Sequence, residues 1–144
     1  MEIKVGMRIR STLTGQREGG EIDKGFVFLA TLSTDGPEIV MKHPDEVLNE
    51  EIQEKISLGS FTMSSGGGEY VSFRIGDFEV FTATFTLKRS TRNMVMSLGV
   101  ASKGSISLEV KRKIKELVKK VNGGDYSHKL AEIVREMPEI YKML

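Results

Sequence analysis

The sequence predicts an α+β domain: an antiparallel five-stranded sheet, with one extra N-terminal strand, held between one helix on one face and two C-terminal helices on the other. Three observations carry that expectation. Runs of apolar residues with a period of two recur between turn-forming residues, while three other runs place apolar residues at helical spacing. The links between the later strand runs are too short for anything but antiparallel neighbours. Residues 25–33 are apolar on both faces, as a central strand covered from both sides must be. With 144 residues, 39% of them hydrophobic, the chain can bury roughly two-thirds of its unfolded surface in a single core. Residues 1–144 are accordingly read as one domain, with a strand and Gly-rich loop over 1–24 and the core over 25–142.

The opening residues alternate strictly, with Ile3, Val5, Met7 and Ile9 on one face and Glu2, Lys4, Arg8 and Arg10 on the other, which predicts a half-buried strand. Residues 11–24 carry three glycines and no periodicity, and read as a long flexible loop. In the run 25–33, Phe26, Phe28, Ala30 and Leu32 oppose Val27 and Leu29. Thr34-Asp35-Gly36-Pro37 then supplies turn chemistry, so Glu38–His43 is expected to pair back as a hairpin strand. Pro44, Asp45 and Glu46 suit the first turn of a helix, where a missing donor costs nothing and negative charge meets the positive end of the dipole. Leu48, Ile52 and Ile56, with Val47, form its apolar stripe, and Gly59 is expected to stop it.

Gly66-Gly67-Gly68 marks a mobile connection to three further strands. These are Tyr70–Ile75, Phe78–Leu87 with Phe81, Ala83, Phe85 and Leu87 on one face, and Asn93–Ala101 with Met94, Met96, Leu98 and Val100 on one face. Ser107 can cap a helix whose inner face is Val110, Ile114, Leu117, Val118 and Val121, ending at Asn122-Gly123-Gly124. A last helix presents Leu130, Ile133, Val134 and Met137 to the core, and Pro138 is expected to end or kink it before Ile140.

This element order, together with a local pattern, resembles archaeal longin-like proteins within the profilin-like group that includes roadblock domains. The pattern is an apolar strand running into Asp35-Gly36-Pro37, a second strand ending at Pro44, a helix with Leu48, Glu51, Ile52 and Lys55-Ile56-Ser57-Leu58, and paired strands around a basic link. The resemblance spans about four-fifths of the chain, from residue 25 to 142. It implies a non-enzymatic adaptor that binds proteins, a small GTPase or a second longin or roadblock subunit among them, through the sheet edge and helix faces. Two departures stand out: the added strand at 2–10 with its Gly-rich loop, and the lack of a continuation into a membrane-fusion helix. A vesicle-fusion role is therefore not expected.

Composition and motifs exclude more than they assign. The chain has 21 Lys+Arg against 20 Asp+Glu, for a net charge of +1, and contains no Cys. A near-neutral chain is not expected to grip nucleic acid along its whole surface. Without thiols there is no disulfide framework or Cys-ligated zinc, which suits a reducing cytoplasm. The N-terminal residues lack the apolar run of a signal peptide, and no run approaches the ~18–20 apolar residues of a membrane helix. Few Asn and Gln residues (Gln16, Gln53, Asn49, Asn93, Asn122) fit a hyperthermophilic source. Neither Gly-rich loop is followed by a Lys-Ser/Thr pair and a helix, so no phosphate cradle and no cofactor are expected. His43 and His128 stand alone, Ser64 and Ser65 lack a nucleophile motif, and the carboxylates read as turn or helix-surface residues. No catalytic or metal-binding residue is assigned.

Two basic features remain. Lys88-Arg89-Ser90-Thr91-Arg92 links two strands, so Lys88, Arg89 and Arg92 are expected to project together from one end of the sheet. Lys111, Arg112 and Lys115 are among the cations of the helix after Ser107, where Glu109–Lys113 and Glu116–Lys120 fall at i, i+4 spacing and are expected to pair, which favours a solvated, ion-paired face over a nucleic-acid surface. These six cations are the candidate interaction residues, and Ile3, Val5, Met7 and Ile9 form a candidate edge strand that either protects an edge or pairs with a neighbouring chain. A homodimer or heteromeric protein partner is thus expected. Two other readings compete: a profilin-like sensor holding a small molecule between the sheet and the helix at 45–58, and a weak nucleic-acid binder using the basic link and the Lys-rich helix.

Overall fold

The computed structural model describes residues 24–45, 48–62 and 70–144. The expected strand bearing Ile3, Val5, Met7 and Ile9 lies outside the described residues, as does the loop up to residue 23. In chain order the described elements are β1 (Gly25–Ser33), β2 (Gly36–His43), α1 (Glu50–Thr62), β3 (Tyr70–Ile75), β4 (Phe78–Arg89), β5 (Arg92–Ser102), α2 (Leu108–Val121) and α3 (Tyr126–Lys142). The five strands form one antiparallel sheet in the order β2-β1-β5-β4-β3, which makes β2 and β3 its edges among the described residues.

Alternation along each strand sorts its side chains between two layers. On the α1 side, Phe26, Phe28 and Ala30 of β1 pack with Ile56 and Phe61 of α1 and Val80 of β4. On the other side, Val27 and Leu29 join Phe81, Phe85, Leu87, Met96 and Leu98 beneath Ile114 and Val118 of α2 and Ile133 and Met137 of α3. Each fully buried Phe or Leu contributes about 1.5–3 kcal/mol relative to exposure, so the double-sided β1 is the strand the core least tolerates losing.

Two helix limits differ from the sequence expectation. Helix α1 does not start at Pro44, where the His43–Pro44 peptide is cis. It starts at Glu50 behind Asn49, whose side-chain oxygen accepts from the amides of Glu51 (2.7 Å) and Ile52 (3.3 Å), because Asn satisfies helix-end donors that Pro leaves open. Nor does Gly59 end it. A Cβ there would sit 2.7 Å from the Phe73 ring, so this glycine serves close approach of α1 to β3 rather than termination. In α3, Pro138 lies inside an unbroken helix. The proline leaves the Val134 carbonyl without its intrahelical donor, and Val134 is 38% exposed rather than part of the inner face. The buried positions are Ile133, Met137 and Ile140.

Strand β4 outruns β3: Tyr70 pairs with Ala83, and nothing of β3 reaches Thr86 or Lys88. The α2–α3 link covers this overhang. Thr86 donates its amide to the Asn122 side chain (2.9 Å), Gly123 donates to the Thr86 carbonyl (2.7 Å), and Lys88 donates to the Gly124 carbonyl (2.8 Å). Gly123 adopts φ +82°, a left-handed conformation that a side chain resists. Asn122 also closes α2 by donating its amide to the Val118 carbonyl.

Candidate interaction surface

The six candidate cations do not form one patch. Lys88, Arg89 and Arg92 sit at the tip of the β4–β5 hairpin, where Arg89 and Arg92 face each other across the ladder and Ser90 takes φ 59°. The Arg89 guanidinium lies 5.0 Å from the centre of the Tyr126 ring, at the start of α3. Lys111 and Lys115 lie far along the same sheet face, over Phe81 (5.6 Å) and Tyr70 (4.8 Å). Lys88 lies five residue steps along β4 from Ala83, which pairs with Tyr70, a distance of roughly 17 Å.

Helix α2 explains how its cations divide. Its buried stripe of Val110, Ile114, Leu117, Val118 and Val121 faces the sheet. Lys113 and Lys120 fall on the flank toward α3 and pair there with Glu136 (2.9 Å) and Glu132 (2.6 Å). They reach across to α3, which corrects the expected pairing with Glu109 and Glu116 along α2 itself. The hydrogen bond from Lys120 and its charge hold the Glu132 carboxyl below the usual carboxylate range, and the same bond raises Lys120. Lys111, Lys115 and Lys119 recur every four residues on the opposite flank, with Arg112 beside them, and none of the four makes an ion pair among the described residues.

That flank overhangs the β3 edge. Tyr70, Ser72 and Arg74 are the exposed residues of β3, in strict alternation with the half-buried Val71, Phe73 and Ile75. Tyr70 stacks on Phe81 with centroids 6.3 Å apart and planes 18° off parallel, and Lys115 lies over the ring. Arg74 has one carboxylate near it, Glu79 of β4 at 4.0 Å. The sequence places β3 in the sheet but does not single out Tyr70, Arg74 and Lys119 as surface residues, because spacing along the chain does not say which strand ends at an edge.

The opposite edge has the opposite charge. An open groove of about 500 Å³ between β2 and α1 is lined by Glu38, Glu50, Glu51 and Glu54. Between the sheet and α1, Phe28, Ile56 and Phe61 belong to one buried cluster, and the hydroxyls of Thr82 and Ser97 are buried without a hydrogen-bond partner. Among the described residues no three metal-ligating side chains converge. His43 rests edge-on against Tyr141 at 5.4 Å, and His128 contacts Asp125, the α3 cap, at 3.2 Å. No described helix is long and apolar enough to cross a membrane. No family model matches the chain, and no curated protein matches it.

Proposed function

We propose that this chain is a non-enzymatic protein-interaction module of the longin-like, profilin-like kind, acting in the cytoplasm with a small GTPase or with another longin or roadblock subunit. The observation that carries the proposal is that, among the described residues, β3 is an edge strand and the α2 cations flanking it, Lys111, Lys115 and Lys119, make no ion pair. An edge strand offers backbone donors and acceptors to a partner's strand, and the cations select which partner. The element order and the helix placement support the longin-like part of the reading. The test is affinity capture from source-cell lysate with and without a non-hydrolysable GTP analogue. Nucleotide-dependent recovery of a GTPase, or recovery of a longin or roadblock subunit, is the expected result; recovery of nucleic acid alone, or of nothing, overturns it.

A second reading, a small-ligand sensor, draws on the unpartnered hydroxyls of Thr82 and Ser97 beneath α1. It requires α1 to lift, with Ile56 and Phe61, from Phe28 of β1, so a ligand that raises thermal stability should also speed exchange of α1 amides. The nucleic-acid reading is disfavoured at β3. The Tyr70 ring already stacks on Phe81 and lies under Lys115, contacts with which a stacking base would have to compete.

A further inference from the structure

The geometry points to β3 as the template for an acidic, extended segment of a partner protein, which adds a sixth strand with carboxylates on the α2 side and aliphatic side chains on the α1 side. This rests on the interaction-module reading above and names the chemistry of the partner.

The two sheet edges are unequal as templates. Strand β2 contains Pro37, which has no amide to donate, and a register shift that leaves Val40 without a partner in β1. Strand β3 has neither Pro nor Gly, and its six residues pair with β4 in unbroken register from Tyr70–Ala83 to Ile75–Phe78. Among the described residues nothing pairs with its outer side, and its outward backbone groups are therefore evenly presented. Alternation fixes what the added strand must carry. On the α2 side it would run beside Tyr70, Ser72 and Arg74, within reach of Lys111 and Lys115, whose ammonium groups already lie over the strands β4 and β3. On the α1 side it would run beside Val71, Phe73 and Ile75, which are only half-buried.

Charge also chooses among occupants. A second copy pairing β3 to β3 would gather Arg74, Lys111 and Lys115 of both copies on one face of the ladder, and a second copy offering β2 would bring the Pro37 and Val40 irregularities to the ladder. An acidic segment from another protein meets neither obstacle.

The experiment is fluorescence polarisation of the full chain with a labelled eight-residue peptide alternating Glu or Asp with Val or Ile. Four comparisons accompany it: a scrambled peptide of the same composition, two alternating peptides N-methylated on every second amide, one along each edge, and a single-stranded oligonucleotide. The alternating peptide is expected to bind, and binding should weaken about tenfold or more for the scrambled peptide and for one of the two N-methylated registers. The Lys111→Glu/Lys115→Glu chain, or Lys111→Gln/Lys115→Gln if charge reversal impairs folding by circular dichroism, should lose about tenfold as well. Equal binding of both N-methylated peptides overturns strand addition. Unchanged affinity of a folded double variant overturns the charge assignment, and binding of the oligonucleotide or self-association without peptide binding overturns the choice of partner. Running the lysate capture with the double variant separates the two readings: a partner retained by both chains leaves the interaction module standing and removes β3 as its surface.

Discussion

Replacing Gly99 with Ala tests whether the centre of the sheet is as tightly closed as its contacts imply. Gly99 lies in β5 between Phe28 of β1 and Thr82 of β4. A Cβ there would stand 2.6 Å from the Phe81 carbonyl oxygen, 2.8 Å from Phe28 Cζ and 2.8 Å from Thr82 Cγ2. The first of these is backbone, and it cannot yield without parting β4 from β5. Phe28 is fully buried and has no free volume to enter. Overpacking of this kind costs about 1–3 kcal/mol, and the rigid backbone contact places Gly99→Ala near the top of that range. Against it stands the gain of about 0.4–1 kcal/mol from a less flexible unfolded chain. The net expectation is a loss of about 2 kcal/mol, which for a chain of this size lowers Tm by about 6 °C. Urea denaturation followed by far-ultraviolet circular dichroism reads the change directly as a lower midpoint at unchanged slope. In a Phe28→Leu background one of the three contacts is relieved, so the double variant should be more stable than the sum of the single effects by about 0.5 kcal/mol or more. A Gly99→Ala protein within about 0.5 kcal/mol of the parent, the ordinary scatter of benign substitutions, would refute this account of why glycine sits there.

Other expectations rest on single contacts. Ser90 holds φ 59° in the two-residue β4–β5 turn, so Ser90→Gly should raise stability by about 1 kcal/mol; a lower Tm would show that the side chain has a stabilising role at the tip. Asn122→Ala removes the acceptor for the Thr86 amide, and should cost about 1 kcal/mol while accelerating hydrogen exchange at Thr86. The Lys120–Glu132 pair sets a pH dependence at both extremes. Glu132, held low, stabilises above the usual carboxylate range and loses that contribution as pH falls through its lowered value; Lys120, held high, loses its contribution as pH rises through its raised value. Glu132→Gln should therefore flatten both limbs of a plot of Tm against pH, and an unchanged acid limb would show that the pair is screened by solvent.

Where an apolar face meets one neighbour, its period carried over from sequence to structure. Val110, Ile114, Leu117, Val118 and Val121 line the buried side of α2, and Phe81, Ala83, Phe85 and Leu87 share one layer. The failures have a common cause in contacts distant along the chain. Gly59 looks like a helix stop locally, yet it makes room for Phe73, and of the two outcomes expected at Pro138 the ending is the one that does not occur, because the buried contacts of α3 continue to Ile140. The candidate surface was legible in residue type but not in grouping. Lys113 and Lys120 are indistinguishable from Lys111 and Lys115 until α3 supplies Glu136 and Glu132. Which strand forms an edge depends on the sheet order, and that order brings β1 beside β5 across most of the sequence.

The same β1–β5 pairing bears on how the chain survives its own synthesis. Gly25 pairs with Ser102 and Thr31 with Met96, so β1 leaves the ribosome long before its central partner exists. At about 5–20 residues per second the interval lasts several seconds. During it the β1–β2 hairpin and α1 can shelter Phe26 and Phe28, but the face carrying Val27 and Leu29 has no cover until β5, α2 and α3 emerge. A ribosome stalled before β5 would hold a nascent strand with one naked apolar face and one unpaired side, a natural client for a chaperone, whereas a stall within α3 would leave the sheet complete.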